Sequence, residues 1–112
     1  MISKATSKYI PMSPQKARLV VDLIRGKNVN EALMTLKFTN KAATREIEKT
    51  VKSAVANASQ KSENIDVDDL FIEKAFINEG PRLKRIRPAP MGRAYRYQRR
   101  TAHITIELGE KQ

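Results

Sequence analysis

The sequence predicts an α+β fold: three helices packed on a small three-stranded antiparallel sheet, with a long extended β-hairpin protruding from it. Three observations carry this prediction. The apolar residues fall into one strand-like segment near the start, three helix-like segments from 13 to 61, and two strand-like segments near the end. A chain of 112 residues suits one compact domain with a modest core. The stretch RLKRIRPAPMGRAYRYQRR, residues 82–100, is too long and too basic for an ordinary connection. The whole chain, 1–112, is therefore expected to be a single domain, with a body at 1–81 and 101–112 and a basic hairpin at 82–100.

ISKATSKYI, residues 2–10, alternates loosely between β-branched or aromatic and polar residues and predicts a strand. A helix follows. Ser13 is placed to N-cap it, Pro14 stands at the first helical position, where a missing N–H costs nothing, and Gly26 suits a left-handed stop. Ala17, Val20, Val21 and Ile24 recur at helical spacing and form its buried face. A short second helix is expected from an Asn30 cap, burying Ala32, Leu33 and Leu36.

The third helix should run from about Asn40 to Lys61, about 30 Å by helical rise. Ile47, Val51, Ala54, Val55 and Ala58 form its stripe, and Glu48 can pair with Lys52 one turn on. The small residues of SAVANAS admit a close backbone, either a sheet beneath or an RNA strand above. Because the alanines share the apolar stripe, internal packing is the favoured reading.

SENIDVDD, residues 62–69, reads as a connection. Asp66, Asp68 and Asp69 lack the glycine and distal glutamate of a calcium loop, so no metal site is expected there. LFIEKAFIN at 70–78 and TAHITIEL at 101–108 read as strands. In the second, Ala102, Ile104, Ile106 and Leu108 alternate with Thr101, His103, Thr105 and Glu107, so half of it faces a core.

Charge is the informative bulk property. The stretch 82–100 holds eight of the 22 basic residues and no acidic one, leaving 14 basic against 12 acidic elsewhere. It thus carries +8 of the net +10, and its natural complement is a polyanion whose counterions it displaces. Seven of the eight are arginine, suited to bidentate phosphate contact and to stacking on bases. Pro88, Pro90 and Gly92 mark a turn, so two arms of about ten residues are expected, projecting roughly 30 Å. An isolated two-stranded ribbon is marginal in water, and like charges weaken it further, which predicts an arm ordered by its polyanionic partner. Tyr95 and Tyr97 admit two readings, packing across the ribbon or stacking on unpaired bases.

Other classes are disfavoured. There is no cysteine, hence no disulfide, thiolate metal site or cysteine nucleophile. The N-terminus has no signal-peptide apolar region and no run approaches the roughly 18 apolar residues of a membrane span, so a soluble, unprocessed protein is expected. The basic stretch also lacks the helical apolar face of a membrane-surface peptide. His103 is the one histidine, with no second group placed to form a catalytic constellation, so no enzyme is expected and a structural or RNA-contact role is favoured for it. The alternative from another class is an architectural DNA-binding protein that uses a basic β-arm with proline as a wedge.

RLVVDLIRGKNVNEALMTLKFTNKAA, VKSAVANAS and EGPRLKRIRPAPMGRAYRYQRRTAHITI together resemble, in order, the bacterial large-subunit ribosomal protein L22 family, over about Ser13 to Leu108. The resemblance implies a three-helix, three-stranded body near the polypeptide exit and a hairpin that reaches into the 23S ribosomal RNA. That hairpin would form part of the nascent-peptide tunnel wall, near its constriction and the macrolide-binding region. Further implications are contact with RNA from several large-subunit domains and with neighbouring proteins at the exit, a part in early assembly, and a monomeric state when free. No cofactor and no membrane partner are implied. Residence would be in the large subunit of cytoplasmic ribosomes, or of organellar ones.

Carried over by motif, Arg82, Lys84, Arg85, Arg87, Arg93, Arg96, Arg99 and Arg100 would contact RNA, joined from the body by Lys16, Arg18, Arg25 and Lys27. Pro88, Ala89, Pro90, Met91 and Gly92 would lie at the tunnel tip and meet the nascent peptide. The family often reads RPRAKGRA there. Here Ala89, Pro90 and Met91 follow Pro88, a stiffer and less cationic tip.

Overall fold

In the computed structural model the chain is described over residues 2–39, 42–61, 65–88 and 94–110, with 83–88 and 94–99 as backbone only. The elements run β1 (Ser3–Ile10), α1 (Pro14–Ile24), α2 (Val29–Phe38), α3 (Thr44–Lys61), a 3-10 turn (Val67–Asp69), β2 (Leu70–Glu79), β3 (Leu83–Pro88), β4 (Ala94–Arg99) and β5 (Ala102–Glu110). Three helices and a three-stranded antiparallel sheet of order β1-β5-β2 form the body, as the sequence predicts. β3 and β4 pair with each other as a separate two-stranded sheet.

β5 lies in the middle because it carries the most regular apolar alternation. Ala102, Ile104, Ile106 and Leu108 are fully buried, while His103 and Glu107 are only partly covered. Thr105 is buried as well, its hydroxyl 3.5 Å from that of its register partner Thr6. On α1 the expected face is the observed one, with Ala17, Val20, Val21 and Ile24 all fully buried. Pro14 opens that helix, but the Ser13 side chain makes no capping bond, and its carbonyl receives the Ala17 N–H at 3.1 Å instead. Gly26 has the expected left-handed conformation, φ +82°, and turns its N–H onto the Ile72 carbonyl at 2.9 Å.

Two boundaries differ from the sequence reading. The cap of α2 is Asn28, whose Oδ1 accepts the Asn30 N–H at 2.9 Å, so the helix begins earlier and Val29 joins the core. Asn28 wins because its own amide also donates to the Asp68 carbonyl at 2.6 Å, tying the helix start to the 3-10 turn. Ala32 and Leu36 are buried as expected, and Leu33 only partly. α3 begins at Thr44; Asn40, the expected start, lies outside the described residues.

α3 lies across β1. Ile47, Val51, Ala54 and Ala58 are fully buried, Val55 packs at the core margin, and Ser3 Oγ donates to the Ala54 carbonyl at 2.8 Å. Ala54 and Ala58 thus serve the close internal contact rather than a surface. The Glu48–Lys52 pair forms at 3.1 Å on the exposed side.

β2 contains an irregularity that its sequence encodes. Its buried residues are Leu70 and Ile72, then Ala75 and Ile77, a change of parity. The register slips at the same place, Ile72 facing Leu108 and Lys74 facing Glu107. One extra residue in a strand reverses the facing of all that follow, so this bulge keeps both apolar pairs on the core side.

Candidate nucleic-acid interface

The ribbon grows from a tightly knit root. Gly80 N–H donates to the Thr101 carbonyl at 3.0 Å, and Thr101 Oγ1 donates to the Pro81 carbonyl at 2.6 Å. Thr101 is fully buried, and a Cβ at Gly80 would collide with its Oγ1. Glycine is required here for close approach. These contacts hold the end of β2 beside the start of β5, fixing where the intervening chain leaves the body.

Beyond the root, β3 and β4 run antiparallel from Leu83↔Arg99 to Pro88↔Ala94. The register places Lys84 opposite Gln98, Arg85 opposite Tyr97, Arg87 opposite Tyr95, Arg96 opposite Ile86 and Arg99 opposite Leu83. No basic residue of these strands is paired directly with another. Directly opposed like charges destabilise an antiparallel pair, so this register lets two basic strands coexist. The two tyrosines accordingly stand across from arginines. Among the described residues each paired arm is six residues, or about 20 Å by strand rise, and the remainder of the ten-residue arms expected lies outside them. The molecule's longest dimension is 64 Å, against 26 and 15 Å for the others.

The predicted tip divides at the end of β3. Pro88 closes that strand, whereas Ala89, Pro90, Met91, Gly92 and Arg93 lie outside the described residues. At the root, Arg100 is exposed, and Arg82 directs Nη2 to Glu79 Oε1 at 3.2 Å.

The body cations separate into two kinds. Lys16 is exposed on α1. Arg18 on α1 and Arg25 at its C-cap, two turns on, reach the outer edge of β2. Arg18 Nη2 donates to the Ile77 carbonyl at 3.1 Å and Arg25 Nη2 to the Ala75 carbonyl at 2.6 Å. Arg25 also meets Asp22 at 2.6 Å. These two guanidiniums spend donors on the fold, a role that charge counting does not reveal. Lys27 is half-buried, its carbonyl accepting the Ile72 N–H at 2.8 Å and its Nζ 3.5 Å from Thr35 Oγ1.

Asp66 and Asp68, weighed above as metal ligands, are engaged locally. Asp66 Oδ1 accepts the Asp68 N–H at 3.0 Å, and Asp68 Oδ1 accepts from Asn30 Nδ2 at 2.7 Å. Among the described residues no group of three metal-ligating side chains converges, and no helix is long and apolar enough to cross a membrane. His103 Nδ1 accepts the Tyr9 N–H at 3.0 Å, a contact between residues 94 positions apart that the sequence did not announce.

Comparison with known proteins identifies the family. The family model described as Ribosomal protein L22p/L17e matches residues 5–109. The chain is 62% identical over 109 residues to the large ribosomal subunit protein uL22 of Solibacter usitatus, covering 97% of this chain and 96% of that one. It is 49% identical over 111 residues to the protein of the same name from Clostridium novyi, covering 99% of each. Against that of Syntrophobacter fumaroxidans the figure is 52% over 108 residues, covering 96% and 97%.

Proposed function

The chain belongs to the ribosomal protein L22p/L17e family, and from that premise we propose that it is a structural constituent of the large ribosomal subunit that binds 23S RNA and assists its assembly. In this reading the ribbon lines the nascent-peptide exit tunnel. As a member of a ribosomal protein family the chain is not an enzyme. The observation that carries the RNA-binding part is the concentration of +8 within residues 82–100, on a ribbon paired separately from the body sheet.

The physics follows from that concentration. Arginines along both arms neutralise phosphates and release counterions, which supplies affinity and fixes the ribbon's path between RNA segments. The body, residues 1–81 and 101–112, and the ribbon then act as one domain bracing separate parts of the RNA fold. Arg82, Lys84, Arg85, Arg87, Arg93, Arg96, Arg99 and Arg100 are the principal RNA contacts, with Lys16, Arg18, Arg25 and Lys27 subsidiary. The neutral tip, Pro88 to Gly92, faces the lumen and the passing nascent peptide, while other proteins at the exit border the body.

Quantitative sedimentation of tagged protein from lysate tests this. The expected result is stoichiometric, single-copy co-migration with large subunits that survives a high-salt wash. Protein that stays free, or follows DNA, defeats the proposal. Within the same reading, Ala89→Arg together with Met91→Lys should change peptide stalling or macrolide response more than subunit assembly. Equal effects on both in a complemented strain would argue against a lumen-facing tip.

A further inference from the structure

β1 takes three steps from Ser7 to Ile10 while its partner takes two, from Ile104 to Ala102. Tyr9 sits in that bulge at φ +59°, the one non-glycine residue in the left-handed region among those described. A bulky aromatic is an outlier there, because its Cβ crowds the backbone where glycine would not. Its position is nevertheless held twice over. The Tyr9 N–H donates to His103 Nδ1 at 3.0 Å, and the two rings meet edge to face, 5.0 Å apart at 89°.

The His103 ring is itself confined, since a Cβ added at Gly80 would come within 3.1 Å of Cε1 and 3.2 Å of Nε2. Accepting at Nδ1 assigns the proton of the neutral imidazole to Nε2. Yet the tyrosine this arrangement props up is 63% exposed, so its ring is not there to fill the core. It stands at the root of the ribbon, beside β5, with exposed Lys8 next to it in β1 and exposed Arg100 preceding β5.

We propose that Tyr9, braced by His103, is a stacking platform for an unpaired base of the bound RNA at the ribbon's root; this rests on the RNA-binding reading above. Unpaired bases offer a π face to an aromatic ring whatever their identity, and a ring fixed in advance loses little freedom on stacking. Lys8 and Arg100 supply charge for the adjoining phosphates. The strained backbone is then accounted for by function, as it places the ring outward where an extended strand residue would not.

The test is filter binding of the full-length protein to transcribed large-subunit RNA over a salt series. Tyr9→Ala should weaken binding about tenfold with an unchanged salt slope, since stacking displaces no counterions. Tyr9→Phe should bind like wild type, and Lys8→Ala should reduce the slope by about one. Tyr9→Gly, which relieves the backbone, should unfold no more easily than wild type yet bind as poorly as Tyr9→Ala. Ultraviolet crosslinking followed by mass spectrometry should find a nucleotide adduct on the peptide containing Tyr9.

Wild-type binding with an unaffected Tyr9→Ala overturns this inference alone. So does a Tyr9→Phe loss equal to that of Tyr9→Ala, which would mean a hydroxyl contact, or a Tyr9→Ala loss that changes the salt slope. Wild-type protein that fails to bind the RNA overturns the RNA-binding reading and this one with it.

Discussion

The pairs β2–β5 and β3–β4 are both antiparallel, the second lying between the two strands of the first in the chain, yet different forces hold them. β2 and β5 contain one basic residue in nineteen, Lys74, and bury Leu70, Ile72, Ala75, Ile77 and four residues of β5 beneath the helices. β3 and β4 contain five in twelve, spaced so that none faces another across the pair. The first pair is stabilised by its own protein's apolar surface, whereas the second carries the charge that, under the proposed function, an external polyanion satisfies. On that proposal, similar backbone pairing serves cohesion in one place and recognition in the other.

The sharpest way to break that contrast is in the core. Ile104→Ala should destabilise the protein by about 2–5 kcal/mol, from lost burial and the cavity left behind, as read by urea unfolding. The remaining folded fraction should bind RNA normally. Deleting residues 85–97 should do the converse, weakening binding to large-subunit RNA on the order of a hundredfold by removing four arginines, with thermal unfolding of the body little changed. If the deletion unfolds the body, the two regions are one cooperative unit and the contrast fails.

Smaller effects sharpen the junction. Gly80→Ala forces a methyl against Thr101 Oγ1, which is buried and bonded to the Pro81 carbonyl and has no room to yield. It should cost about 1–3 kcal/mol by calorimetry. Arg25→Ala should cost about 0.5–1.5 kcal/mol by uncapping the Ala75 carbonyl, and should lower RNA affinity less than Arg100→Ala does. Lys52→Ala should change unfolding free energy by less than about 1 kcal/mol, because its partner Glu48 is met at the solvent-facing surface.

What was legible in the sequence follows the same division. The alternation of β5 and the spacing of Ala17, Val20, Val21 and Ile24 could be read because period and burial coincide in them. The shift in β2 from Leu70 and Ile72 to Ala75 and Ile77 was present in the letters, but only the register against β5 gives it meaning as a bulge. Choosing Asn28 over Asn30 as a cap depended on Asp68, far along the chain. Arg18 and Arg25 were visible as charges, but the strand carbonyls that accept their hydrogen bonds were not. Tyr9 carried no signal at all, since no glycine or asparagine marked a left-handed residue there. For the candidate site, the basic content and hairpin position of 82–100 were legible, and the opposition of basic to neutral residues was not.

The occupied sheet margins have a consequence for the protein before it meets its partner. Along β1, Asn57 Nδ2 donates to the Lys4 carbonyl and Lys61 Nζ to that of Ile2, just before the strand, each at 3.0 Å; on β2, Arg18 and Arg25 engage Ile77 and Ala75. An open strand edge is a template on which a second copy can add and begin an aggregate. With those carbonyls taken, newly made chains present fewer groups for one another to extend, so free protein is expected to stay dispersed rather than to grow into fibres.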